Sequence, residues 1–212
     1  MISAYPGAVD FEQPIQAVIP GAQGRILAVL AHTTAELNLR TVARLAGVSP
    51  AQASRVLPHL VDLGVVHRRE APPSALFTLN DEHVVGEWLR SLADVRAVVL
   101  DRMADAAQRW QPSPVSVIVF GSFARGEASV ESDIDVVAVR PPGIADDDWF
   151  DPMERWRREI AALTGNQVAI ISVDREEVSK ALRGRSPLWN DVARDGLVVF
   201  GSSINDLRAA GG

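Results

Sequence analysis

Apolar positions recur along the chain in clusters whose spacing changes character about halfway. Gly24 to Thr33 (GRILAVLAHT) spaces its apolar residues for one helix face. Leu39 to Ala46 (LRTVARLA) repeats that spacing over two turns and stops at Gly47. Ser49 then precedes Pro50, an N-cap followed by proline at the first helical position, and opens a third helix that Gly64 closes. Pro58 inside that helix predicts a bend. VVHRRE and ALFTLN, separated by APPS, predict the two strands of a hairpin. From Asp81 to about Trp110 one long helix is predicted, with Val85, Trp88, Leu89, Leu92, Val95, Val99 and Met103 along a single stripe. Ahead of all this, a stretch containing Pro6, Gly7 and Pro14 reads as a loosely held lead-in.

Gln111-Pro-Ser-Pro114 breaks the helical pattern, and beyond it strands and helices alternate. Strands are predicted at Val115 to Phe120, Asp133 to Val139, Val168 to Val173 and Leu197 to Phe200. Helices are predicted near Trp149 to Leu163, Arg175 to Leu182 and over LWNDVARD. The expected class is α+β, with a lead-in over 1–22 and a helix-turn-helix with a hairpin wing over 23–80. A connecting or dimerising helix is expected over 81–111, and a mixed-sheet domain over 112–212.

Composition narrows the setting. The chain has 47% hydrophobic and 23% charged residues, ordinary for a globular protein, and no apolar run suggests a membrane span. With no cysteine and no basic-then-apolar leader, the expected location is the cytoplasm. A net charge of −6 argues against indiscriminate coating of nucleic acid, but the charge is unevenly placed. Residues 40–69 carry Arg40, Arg44, Arg55, Arg68 and Arg69 against Asp62 alone, whereas residues 112–212 carry 11 basic and 16 acidic side chains. Two regions of opposite charge suggest two tasks.

The densest chemistry lies in VFGSFARGEASVESDIDVVAV. Gly121 and Ser122 follow a buried strand and precede a helix, where glycine admits a phosphate to the backbone and the hydroxyl can donate to it. Arg125 and Gly126 extend this cradle. Asp133 and Asp135, two apart on a strand, would point to one face with Cα atoms roughly 6.6 Å apart. That spacing suits carboxylates sharing Mg²⁺ ions that bridge triphosphate oxygens. The acidic run Asp146-Asp147-Asp148 follows a Pro-Pro-Gly loop and suits a helix start better than a metal site.

GSFARGEASVESDID resembles the GSxxRG…SDxD pattern of the DNA polymerase β-like nucleotidyltransferases, particularly the minimal members, and the likeness covers about residues 113–201. The resemblance implies a small mixed sheet and Mg²⁺-dependent transfer of a nucleoside monophosphate from a nucleoside triphosphate (NTP). It implies that Gly121 and Ser122 contact the triphosphate, that Asp133 and Asp135 hold metal, and that Arg125 contacts phosphate or supports the site. Active relatives usually carry a third carboxylate on the next core strand, and that alignment puts Ala169 or a near neighbour there. Without it, metal binding weakens and a general base is missing, so nucleotide binding can outlast transfer.

Residues 39–80 resemble the winged-helix regulators of bacteria. The resemblance implies that the third helix enters the major groove of double-stranded DNA and exposes Ser49, Gln52, Ser54 and Arg55. Gln52 and Arg55 are suited to base edges, Arg44 and Ser49 to phosphates, and His67, Arg68 and Arg69 to the wing's backbone or minor-groove contacts. Homodimerisation is expected on the same likeness, with Trp88, Leu92, Val95 and Val99 as core or seam. Three readings follow. The first is a DNA-binding regulator whose second domain binds Mg-NTP with weak or lost transfer. The second is an active transferase acting on a protein, RNA or small molecule, as antitoxin-type members do on a protein partner. The third is a non-enzymatic interaction protein.

Overall fold

The computed structural model describes residues 7–209; Pro6 of the expected lead-in lies outside them. Among the described residues, contacts divide the chain into a unit of residues 13–95 and a unit that joins residues 7–12 to 96–209. The division at Val95/Arg96 falls within the connecting segment, ahead of the Gln111–Pro114 break where the expected boundary lies.

The first unit runs α1 (Pro14–Val18), α2 (Gly21–Ala31), β1 (Leu37–Asn38), α3 (Leu39–Leu45), α4 (Pro50–Asp62), β2 (Val66–Ala71), β3 (Ser74–Leu79) and α5 (Val84–Ala93). Its antiparallel sheet is ordered β1-β3-β2, with Leu37 opposite Phe77 and Val66 opposite Leu79. This is a winged helix-turn-helix. Ile26, Leu30, Val42, Ala53, Leu57, Leu60 and Phe77 form the core where the helices meet the sheet, and Val48 is buried with them after the Gly47 turn. Ser49 caps α4 by the reciprocal arrangement with Gln52, so the helix starts where the Ser-Pro signal puts it. Pro58 lies inside α4, which runs through it without ending.

The second unit contains α6 (Val95–Gln108), β4 (Ser116–Phe120), α7 (Gly121–Arg125), β5 (Ile134–Arg140), α8 (Asp146–Thr164), β6 (Val168–Asp174), α9 (Arg175–Arg183), α10 (Pro187–Asp195), β7 (Leu197–Gly201) and α11 (Ile204–Ala209). Its sheet is ordered β6-β5-β4-β7, with β5 and β6 parallel and the other pairs antiparallel. One face packs Ile118, Val137 and Val139 against Val178, Leu182, Val192 and Leu207 of α9, α10 and α11. On the other, Trp149 of α8 donates its indole N–H to Ser172 Oγ at 2.8 Å. Trp110, Trp149 and Trp156 cluster, with ring centroids 4.9 and 6.0 Å from Trp110. No described helix is long and apolar enough to cross a membrane.

Two expectations need correction. The single helix from Asp81 to Trp110 is two helices, because α5 ends at Asp94, whose ψ of 21° leaves the helical range. Leu89 is buried in the first unit's core while Val99 and Met103 are buried in α6, so one stripe serves two cores and the chain breaks between them. Trp88, expected on that stripe, is 68% exposed. The described part of the lead-in is also held rather than loose. Phe11 and Ile15 are buried, and α1 lies within the stretch expected to be a loosely held lead-in.

Candidate functional site

β4 and β5 are antiparallel neighbours with Phe120 opposite Asp135, which sets the end of one strand beside the carboxylates of the other. Gly121 turns the chain at φ +72°, and a Cβ built there would sit 2.5 Å from Asp135 Oδ2. A side chain at 121 would therefore meet both a left-handed backbone and the carboxylate, so the turn and the acid are immediate neighbours. Ser122 and Arg125 occupy the single turn of α7, and Gly126, left-handed at φ +78°, closes it. Arg125 donates to Glu127 Oε2 at 2.7 Å and to Asp195 Oδ2 at 3.3 Å, tying α7 to the end of α10. Those two acids raise the Arg125 pKa, while Arg194 first and Arg125 after it hold the Asp195 carboxyl below the ordinary range.

Asp133 lies one residue before β5, exposed, and Asp135 is half-buried on the strand itself. Burial first, and the charge of Asp133 second, push the Asp135 carboxyl above the usual carboxylate range. The loop that delivers Asp133 is fixed from beneath by Asn166, only 2% exposed, whose amide donates to Ser132 O at 3.1 Å and Ser129 O at 3.4 Å. Ser132 Oγ accepts from Ser129 N at 3.0 Å, closing the same loop. Sequence reasoning misses Asn166, a lone amide after Gly165 with no pattern around it.

On β6, Ala169 is the register partner of Asp135. Asp174 is five residues further along and accepts from Arg140 Nε at 2.6 Å, while Glu176 and Glu177 lie in the first turn of α9. Among the described residues no group of three or more His, Cys, Asp or Glu side chains converges as a metal cage would require. The donor set is therefore two adjacent carboxylates beside a glycine turn. Such a set is too small to enclose a divalent cation, but it suits one that also takes oxygens from a phosphate ligand.

In the winged-helix unit, Arg44, Ser49, Gln52, Ser54 and Arg55 are all exposed, as are His67, Arg68 and Arg69. Several are already engaged. Ser49 Oγ accepts from Gln52 N at 3.1 Å and Gln52 Oε1 accepts from Ser49 N at 2.9 Å. Ser54 Oγ and Arg55 Nε both donate to Ala51 O. Arg68 pairs with Glu70 at 2.7 Å, and Arg69 holds Glu36 through two nitrogens. Both acids lie just outside the window whose charge looked strongly basic; from 36 to 70 five arginines face three acids. A cleft of about 740 Å³ lies between α4 and the wing, lined by Arg40, Ser54, Pro58, Asp62, Arg68 and Phe77 among others.

The nucleotidyltransferase domain family matches residues 100–170, and the IclR helix-turn-helix domain family matches residues 24–70. No curated protein matches the chain. Among solved structures, a protein described as a minimal nucleotidyltransferase is 30% identical over 50% of this chain and 91% of its own, with a TM-score of 0.31. A toxin–antitoxin structure with AMP-PNP is 15% identical over 53% of this chain and 82% of its own, with a TM-score of 0.38. The structure of a tri-AMPylated Shewanella oneidensis HEPN toxin in complex with MNT antitoxin is 13% identical, over 55% of this chain and 82% of that one, with a TM-score of 0.35.

Proposed function

We propose that this chain, which joins an IclR-type helix-turn-helix domain to a nucleotidyltransferase domain, is a DNA-binding regulator whose second domain binds a nucleoside triphosphate with Mg²⁺ and transfers its nucleoside monophosphate, with release of pyrophosphate, poorly or not at all. The observation that carries the reading is the Asp133/Asp135 pair beside Gly121, with alanine instead of an acid in register with Asp135. Burial first, and the charge of Asp133 second, make the ionised Asp135 costly, and a cation that neutralises the pair offsets that cost, which favours Mg²⁺ held jointly with phosphate oxygens. When bound, Mg²⁺ neutralises charge on the triphosphate. The protein's own contributions are positional: Gly121 gives phosphate access to the backbone, the Ser122 hydroxyl donates to it, and Arg125 braces the turn. No described carboxylate stands beside the pair to take a proton from an attacking hydroxyl.

On the winged-helix side, exposed Arg44 and Arg55 support binding of double-stranded DNA, with α4 as the helix that enters the groove. Exposed Val84 and Trp88, one helical turn apart on α5, support a homodimer seam. Calorimetric titration with Mg-ATP, Mg-GTP, Mg-CTP and Mg-UTP tests the nucleotide reading. Saturable binding of at least one is expected, and it disappears in Asp133→Asn/Asp135→Asn. Equal binding by that double variant sinks it.

A further inference from the structure

α7 has five residues, far short of the length at which a helix sustains itself in water, so the groups around it decide its geometry. Two of those groups come from the places where the backbone passes between units, Glu12/Gln13 and Val95/Arg96. At the first, Phe11 meets Phe123 edge-on with centroids 4.7 Å apart, and both rings are buried. Phe11 N and Glu12 N both donate to Ala128 O, in the loop that follows the turn. At the second, Arg96 donates through Nη1 to Ala124 O at 2.6 Å, satisfying a carbonyl at the C-terminal end of α7 that the short helix leaves open. The same guanidinium lies against Gly126, where an added Cβ would be 3.6 Å from Arg96 Nε. Both junctions therefore end on residues directly after Ser122.

Each junction is also anchored on its other side within a few residues. Ile15, four residues after Phe11, is 1% exposed in the winged-helix core. Leu92, four residues before Arg96, packs against that same core. Four residues span about 14 Å at full extension, so neither junction is a long slack linker that would absorb a displacement of the turn.

We propose that Phe11 and Arg96 couple occupancy of the Gly121–Gly126 turn to the winged-helix unit, making DNA affinity depend on bound nucleotide. The proposal rests on the nucleotide reading above and adds its regulation. A ligand that repositions the turn moves the Phe123 ring and the Ala124 carbonyl, and hence the two residues that hold them. Coupling of this kind is reciprocal, so DNA must change nucleotide affinity by the same factor.

The test uses the full chain, hydrogen exchange read by mass spectrometry, and anisotropy of a labelled mixed-sequence duplex at low salt. Each is measured with and without saturating Mg²⁺ and each of the four NTPs. Expected are protection over 119–135, altered exchange in α1 and α5, and a change in DNA Kd of roughly five-fold or more. In Phe11→Leu/Arg96→Gln, which keeps an apolar plug and a donor, the 119–135 protection remains while the DNA response falls below about two-fold. Protection over 119–135 with unchanged α1, α5 and DNA Kd overturns the coupling and leaves the nucleotide reading standing. No protection there with any NTP overturns both. A double variant that keeps the full DNA response overturns the assignment to these two residues.

Discussion

Gly121→Ala tests the geometry on which the proposed nucleotide site depends. Alanine at φ +72° occupies the left-handed region, at a cost of about 1–2 kcal/mol. Its Cβ would also fall 2.5 Å from Asp135 Oδ2 and 3.4 Å from Asp135 Cγ, so the carboxylate must rotate away. Forcing a side chain off its rotamer costs about 0.5–1.5 kcal/mol. Together these give about 2–3 kcal/mol, or a fall in Tm on the order of 5–10 °C for a chain of this size. Gly126→Ala is the internal control. Its φ of +78° incurs the same backbone cost, but its nearest neighbour is the Arg96 guanidinium at 3.6 Å, an ordinary contact.

The two contributions separate in a double-mutant cycle. Asp135 Cβ would be 3.6 Å from the new methyl, also ordinary contact, so Asp135→Ala leaves room for it. Gly121→Ala should then cost about 0.5–1.5 kcal/mol less in the Asp135→Ala background than in the wild type. Denaturant unfolding followed through the Trp110, Trp149 and Trp156 cluster reads the unit that contains both sites. If Gly121→Ala costs no more than Gly126→Ala, and the cycle is additive within about 0.5 kcal/mol, the glycine and the carboxylate are not neighbours and the site is misdrawn.

Three other outcomes follow from the same arrangement. Because the folded-state pKa of Asp135 is raised, the fold disfavours its ionised form above that pKa, and the penalty is relieved as pH falls through it. Asp135→Asn therefore raises the metal-free Tm near neutral pH, and its advantage shrinks on acidification; an advantage that grows on acidification contradicts the assignment. Ala169→Asp places an acid in register with Asp135 and should raise pyrophosphate release from Mg-NTP by about 10²-fold or more, the scale of a supplied general base. Unchanged release would mean that the missing acid is not what limits transfer. Arg55→Ala should flatten the salt dependence of DNA binding by about one unit of slope, Arg69→Ala by less because Glu36 already holds that guanidinium, and Glu36→Gln should tighten binding; equal slopes for the two arginine variants refute the pairing.

Much of the fold was legible because local signals and burial agreed. Gly47 follows the end of α3, the Ser49-Pro50 start and the Gly64 stop bracket α4, and Pro72-Pro73 of the APPS turn separates two strands of six residues. The placing of Gly121, Asp133 and Asp135 was legible because they are close in sequence and their order dictates a strand, a turn and a second strand. The likeness to the nucleotidyltransferases put Ala169 or a near neighbour where a third acid usually stands, and the parallel register of β5 and β6 sets Ala169 opposite Asp135. The break at Asp94 was not legible, since a stripe of apolar residues shows that something is buried without showing that it is buried in two different cores.

What stayed hidden are pairings over long separations. Arg125 meets Asp195 seventy residues away and Arg69 meets Glu36 thirty-three away, and neither leaves a periodicity to detect. The consequence is sharpest for the wing. Counting charge in a window treats every arginine as available to phosphate, but a guanidinium held by two carboxylate oxygens must give up that partner before it can neutralise a phosphate. Arg69 begins with such a partner in Glu36 and Arg68 with a single contact to Glu70, whereas among the described residues Arg44 and Arg55 make no ion pair. The electrostatic footprint on DNA should therefore centre on the start of α4 and the end of α3, with the wing adding less than its composition implies. A footprint in which wing substitutions flatten the salt slope as much as Arg44→Ala or Arg55→Ala would reverse that ordering.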